Sequence, residues 1–346
     1  MYSKMTDKER ILSYAEAINE AHHLALHADE RVYVMGQGVD NPWCVGTSTR
    51  DLFETFGRRR VIDVPISENA MTGAAIGSAM AGMRPIVFHP RMDFMYLAMD
   101  QIINHCAHWY YMFGGQVNVP VTVRGIINRG NEQAAQHSQS PYSMYAHVPG
   151  IKVVVPGTPY DAKGLLLAAI SDDNPVLYID DRWLYETKGP VPEGAYKTPI
   201  GKAAVLKEGN DVTVVAVSYL VNESLEAAEI LERGGVSAEV IDVRTVKPLD
   251  YETVVSSVKK TGRLVIADPA WPVCGIASEL NAHVSSKLFG KLRSPVMSVT
   301  LPDAPAPASV SLEKGYYPDE KNIVDAVKKT INYNPGVSHE VQGPVY

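Results

Sequence analysis

Residues 60–88 read RVIDVPISENAMTGAAIGSAMAGMRPIVF, and the fold class is legible here first. The runs 60–64 and 84–88 are short, apolar and rich in β-branched residues. Between them Gly73, Ala74, Ala75, Gly77, Ala79, Ala81 and Gly82 recur at near-helical spacing. Strand, helix and strand in succession is the repeating unit of a parallel sheet. The small residues let that helix approach another backbone or a flat ligand closely. One carboxylate, Glu68, stands at the mouth of the run, where it is costly if nothing pairs with it. Spacing alone leaves two readings: a first-turn charge that offsets the helix dipole, or a carboxyl reserved for a ligand.

The alternation continues outward on both sides. Ile11, Leu12, Ala15, Ile18, Ala21 and Leu24 predict an opening helix over 7–27, and a short β run follows at 32–36. Beyond Phe88 come a helix through 98–104 and buried strands at 119–124 and 152–156. The passage GPVPEGAYKTPIG, 189–201, carries Pro and Gly at linker density. The pattern then restarts, with strands at 211–217, 238–243 and 263–267 and helices at 222–233 and 251–260. The expected architecture is α/β: a parallel-sheet domain over 1–189, a linker over 190–201, a smaller α/β domain over 202–335 and a weakly ordered tail over 336–346.

At 346 residues the chain suits two domains that each bury a core. Its 46% hydrophobic and 21% charged content is that of a globular protein. A net charge of -7 without a basic block excludes nucleic acid and anionic membranes as partners. Cys44, Cys106 and Cys274 form no CxxC pair, which fits a reducing cytosol and no zinc site. The charged first ten residues hold no signal core. No apolar run approaches the roughly 18 residues of a membrane span, so a cytoplasmic location is expected.

Chemistry in such sheets collects in loops beyond the carboxyl ends of the strands. Two loops besides that of Glu68 stand out: His89-Pro90-Arg91-Met92-Asp93-Phe94, and the polar stretch from Asn128 to Gln139 that carries His137. Either is compatible with a merely solvated loop. No GxGxxG, GxxxxGK[ST] or GxSxG occurs, which removes support for nicotinamide, nucleoside triphosphate and serine-hydrolase readings.

The segments Pro65-Ile66-Ser67-Glu68, 79–86, Asp93-Phe94, Asp100-Gln101-Ile102-Ile103-Asn104, Gly114-Gly115-Gln116, Ala135-Gln136-His137-Ser138-Gln139, Ala146-His147-Val148-Pro149-Gly150 and 242–250 follow one another in family order, within a likeness that extends from about residue 8 to 332. Together they make the chain resemble the β subunit of the thiamine-diphosphate-dependent decarboxylase component of 2-oxoacid dehydrogenase complexes of the pyruvate, branched-chain and acetoin types. The resemblance implies a pyrimidine-binding, transketolase-like domain followed by a transketolase C-terminal domain. It makes Glu68 the carboxylate on the cofactor's aminopyrimidine, promoting formation of the ylid that attacks the 2-oxo carbon. Phe94 would pack on the pyrimidine with Met92 beside it, and His137 would handle a proton or the acyl transfer to lipoyl-lysine. Val121, Ala169, Asp172 and Asn174 match a structural potassium site of the family.

The family's diphosphate is gripped by Mg²⁺ on a Gly-Asp-Gly…Asn motif, and this chain contains no Gly-Asp-Gly. The resemblance therefore implies an α subunit that carries the motif, in an assembly of two α and two β chains. The chain also departs from the family pattern. Phe88 stands where an acidic residue is usual, and His89, Pro90 and Arg91 stand where small or apolar groups are usual. Ile126 to Glu132 replaces a glycine-rich loop, which makes His89, Arg91 and Arg129 candidate substrate contacts. Surface arginines paired with acidic neighbours are the plainer account of the last two. Asp268-Pro269-Ala270-Trp271-Pro272-Val273-Cys274 replaces a Glu-Glu-Gly type stretch, in a region that faces a lipoyl acyltransferase core in typical members. Two other functions stay open: a two-subunit transketolase-like carboligase that uses an aldehyde or sugar acceptor, and a non-catalytic α/β protein.

Overall fold

A computed structural model describes residues 10–41, 43 and 45–334. Cys44, the tail expected over 336–346 and residues 7–9 of the expected opening helix lie outside the described residues. The chain divides into two compact units, one running to Ile126 and resuming over Val148–Ile200, the other formed by Ile127–His147 and the chain from Gly201 onward. The boundary near residue 200 lies within the Pro/Gly-rich passage. The excursion Ile127–His147, inside the expected first domain by chain order, packs with the second unit.

In the first unit, β1 (Ile11–Ser13) is followed by β2 (Val32–Gly36), β3 (Val61–Asp63), β4 (Arg84–His89), β5 (Thr122–Ile127), β6 (Lys152–Val154), β7 (Val176–Asp181) and β8 (Lys188–Pro190). The sheet order is β6-β7-β5-β4-β2-β3. The pairs β2–β3, β2–β4, β4–β5 and β6–β7 are all parallel. β5 and β7 are buried at every position, as a sheet covered on both faces requires. β1 and β8 pair antiparallel in a separate two-stranded ribbon, so the start of the expected linker is in fact strand.

Local chemistry explains where the elements begin. The opening helix runs over Tyr14–Ala28, with strand over Ile11–Ser13 where helix is expected, because Ser13 caps it: its hydroxyl accepts the Glu16 N–H while Glu16 accepts the Ser13 N–H. The strand expected over 119–124 begins only at Thr122, beyond Pro120, which has no N–H to give a ladder. The segment after β4 forms a 3₁₀ turn over Met92–Ala98 and a π-helical turn over Gln101–Ala107, where a regular helix is predicted.

The second unit contains β9 (Ala204–Lys207), β10 (Val212–Ala216), β11 (Ala238–Asp242), β12 (Thr245–Lys247), β13 (Leu264–Asp268) and β14 (Met297–Thr300). Its sheet order is β14-β13-β10-β11-β9, parallel except for β9. The Leu220–Arg233, Tyr251–Thr261, Ile276–Lys287 and Glu320–Ile331 helices connect or flank these strands. Asp250 caps the second of these helices and Gly262, at φ 72°, ends it. Among the described residues no helix is long and apolar enough to cross a membrane.

Candidate functional site

The first sheet changes direction at β2: the chain passes from β2 to β3 on one side, then back across to β4 on the other. The carboxyl ends around such a switch are where doubly wound sheets receive ligands. Gln37 follows β2, Glu68 lies five residues beyond β3, and His89 ends β4. Gly36 has no space for a side chain, since a Cβ there would lie 2.6 Å from the Phe88 carbonyl oxygen. That close approach brings the ends of β2 and β4 together.

Glu68 is the first residue of the Glu68–Met80 helix and is only 6% exposed. The Ser67 side chain makes no cap hydrogen bond. The Gln37 amide, which donates to Glu68 Oε1 at 3.4 Å, is the sole hydrogen-bond partner of this carboxylate among the described residues, and no ion pair engages it. A buried acid with one long contact keeps acceptor capacity for something else. One turn on, Thr72 Oγ1 meets His89 Nε2 at 3.1 Å.

His89 is fully buried and its Nδ1 has no protein partner among the described residues. Burial holds its pKa down to about 3, so the imidazole is neutral and offers no positive charge to an anionic substrate. Met92 is also fully buried and its side chain serves the core, whereas Phe94, on the same 3₁₀ turn, is half-buried. Arg91 is half-buried, and its Nη1 donates to the Pro90 carbonyl at 2.9 Å. Burial and the Arg182 guanidinium lower its pKa, with Asp93 acting the other way.

His137 and Arg129 belong to the excursion that joins the second unit. His137 is half-buried, with its N–H on the Ala134 carbonyl at 3.4 Å. Arg129 is not a surface residue: it is 5% exposed, and its guanidinium lies 3.2 Å from the centre of the Tyr219 ring. Of the four potassium candidates, Ala169, Asp172 and Asn174 lie around one turn of the first unit, and Val121 meets the chain just beyond it, at Val176. Ala169 O accepts the Asp172 N–H, Val121 O accepts the Val176 N–H, and Asp172 Oδ1 accepts the Asn174 N–H at 2.9 Å. Two cations already sit there. Lys152 Nζ is 2.6 Å from Asp172 Oδ2, and Arg84 donates to the Ile170 and Asp172 carbonyls.

Sequence reading missed Gln37, Thr72 and Arg182. Gln37, a lone polar residue between Gly36 and Gly38 at a strand end, carries a usable signal, and so does Thr72, four residues beyond Glu68 on one helix face. Arg182 carries none, since strand ends commonly bear charge.

Residues 11–187 match the transketolase pyrimidine-binding domain and residues 201–323 match the transketolase C-terminal domain. The acetoin:2,6-dichlorophenolindophenol oxidoreductase subunit beta of Bacillus subtilis (strain 168) is 45% identical, over 91% of this chain and 96% of its own length. The pyruvate dehydrogenase E1 component subunit beta of Rickettsia bellii is 43% identical, over 92% and 98%. The chain belongs to this E1 β-subunit family. The mitochondrial E1 β subunit of Caenorhabditis elegans is 42% identical over 93% of both chains. A solved structure titled split gene transketolase, inactive beta4 tetramer, superposes with a TM-score of 0.74 at 26% identity, over 92% of this chain and 98% of that one. The E1 β relatives are far closer in sequence than the split transketolase, so the carboligase alternative is not favoured. Membership of the E1 β family implies dependence on thiamine diphosphate and an α partner subunit.

Proposed function

We propose that this E1 β subunit activates the pyrimidine half of thiamine diphosphate through Glu68 and that His137 serves the proton or acyl-transfer step toward lipoyl-lysine. The observation that carries the reading is the buried Glu68 carboxylate at the switch of the first sheet, held among the described residues by Gln37 alone. When bound, thiamine diphosphate supplies the carbon nucleophile and electron sink for loss of carbon dioxide from a 2-oxoacid. Glu68 would hold a proton at the ring nitrogen of the aminopyrimidine, and its low exposure keeps water from competing for that hydrogen bond. Phe94 would pack on the ring, with the buried Met92 on the same turn beside it. Arg91 and Arg182, cations at the ends of β4 and β7, are the substrate-facing candidates of the first unit. The buried, neutral His89 supports the helix of Glu68 through Thr72.

An α subunit bearing the Gly-Asp-Gly…Asn motif would hold Mg²⁺ and the diphosphate, in an assembly of two α and two β chains. Ile66, two residues before Glu68, is 82% exposed and Tyr111 is 89% exposed, as surface that a partner subunit covers. A potassium ion would draw on the oxygens of Val121, Ala169, Asp172 and Asn174. Asp172 already shares its carboxylate with Lys152, so potassium should raise the melting temperature only modestly. A cytoplasmic location and docking to a lipoyl acyltransferase core complete the proposal.

The test is an α/β complex assayed with a panel of 2-oxoacids and free lipoamide. Glu68→Gln should leave the complex assembled and lower turnover by about 100-fold or more, the lower range for loss of a catalytic proton-transfer group. Full activity in that variant, or acyloin formation without lipoamide turnover, sinks the proposal.

A further inference from the structure

The sheet of the second unit has its own switch. The chain leaves β10 for β11 on one side and returns to β13 on the other, so the ligand crevice of this α/β unit lies beyond the ends of β10 and β13. Those ends are Ala216, leading to Ser218 and Tyr219, and Asp268. The chain lays its own residues 127–147 on them. Arg129 stacks on Tyr219, and the Gly130 N–H donates to Tyr317 Oη at 3.3 Å. The Glu132 N–H donates to Glu313 Oε1 at 3.0 Å. At the far end of the segment the Tyr142 hydroxyl donates to Asp268 Oδ1, while Asp268 Oδ2 accepts the Ala277 N–H at 3.0 Å.

Between these anchors the backbone is one that L-residues rarely adopt. Gly130, Asn131, Glu132 and Ala134 have φ of 68°, 51°, 60° and 58°, and His137 follows three residues later. Backbone of this kind persists only where the surroundings over-determine it. We infer that Arg129 and Tyr142, seated on Tyr219 and Asp268, are positioning residues for His137, and that the second unit spends its ligand crevice on holding the catalytic loop. This rests on the role proposed above for His137. The side chains that hold the loop touch no reacting atom; they act through the histidine.

The test uses the α/β holoenzyme. His137→Ala is measured first, and full turnover in that variant would overturn the histidine assignment itself, independently of the anchoring. Tyr142→Phe removes one hydroxyl from a buried ring, and Arg129→Lys removes the flat stacking surface but keeps the charge. Each should lower kcat about 10-fold with KM for the 2-oxoacid and affinity for thiamine diphosphate unchanged. Each should also speed amide exchange over 128–138 while leaving the 68–80 helix protected. In a double-mutant cycle, Tyr142→Phe should cost nothing further in the His137→Ala background. Unchanged exchange over 128–138, or losses that multiply in the double variant, would overturn the proposal.

Discussion

Thr72 and His89 show how a supporting pair shapes acid sensitivity at the scale of single residues. In the unfolded chain the His89 imidazole protonates near 6.5, while in the fold burial holds it to about 3. Its depressed pKa contributes stability that is complete above pH 6.5 and is lost as pH falls toward 3. The slope is at most about 1.4 kcal/mol per pH unit for one proton. Replacing both partners by apolar groups of similar shape, Thr72→Val with His89→Phe, should be nearly neutral at pH 7. The gap between variant and wild-type urea midpoints should then move in the variant's favour from pH 7 to pH 5. His22, also buried and held well below its usual value, continues to lose stability in both proteins, so the comparison isolates His89. Thr72→Val alone should cost about 1 kcal/mol, because a ring nitrogen is left unpaired. That His89 stands at a strand end was legible in the sequence. Its neutrality was not, because burial is a property of the packed sheet rather than of neighbouring residues.

Among the elements, β5 and β7 carry a feature the sequence hides. Arg124 and Asp180 form a bidentate ion pair inside the sheet, Nε to Oδ1 at 3.0 Å and Nη2 to Oδ2 at 2.9 Å, with both side chains fully buried. Burial alone would depress the Arg124 pKa; Asp180, helped by the Tyr185 hydroxyl, more than reverses this. Removing one partner strands the other charge, so Asp180→Ala should destabilise the first unit by about 3–5 kcal/mol. A thermal melt that shifts by less than about 2 °C would contradict this, since 1 kcal/mol moves a domain of this size by roughly 2–4 °C. An arginine in an apolar strand reads like any edge charge until its partner, 56 residues on, is placed opposite. β5 was legible in part, from the apolar run at 119–124, and the Glu68 helix because of its Gly/Ala spacing; β7, ending in two aspartates, was not read as a strand. The β1–β8 ribbon was not, since three-residue strands leave almost no periodicity.

At the scale of the whole molecule, the family and its two-domain order were readable, because short motifs recurring in order over 300-odd residues are hard to produce by chance. The grouping of Ile127–His147 with the second unit was not readable: stacking of Arg129 on Tyr219 has no sequence signature. The purified β chain alone should reduce no dichlorophenolindophenol with any 2-oxoacid, and added α subunit should restore the reaction in proportion to complex formed. The Gly130–Tyr317 and Tyr142–Asp268 bonds join residues 187 and 126 positions apart. Contacts that distant form late, because long loops must close before they are rewarded. A ribosome therefore finishes most of the first unit long before His137 can be seated. After dilution from denaturant, circular dichroism should recover first and turnover should trail it, rising in step with intrinsic fluorescence from tyrosines newly shielded around residues 219 and 317.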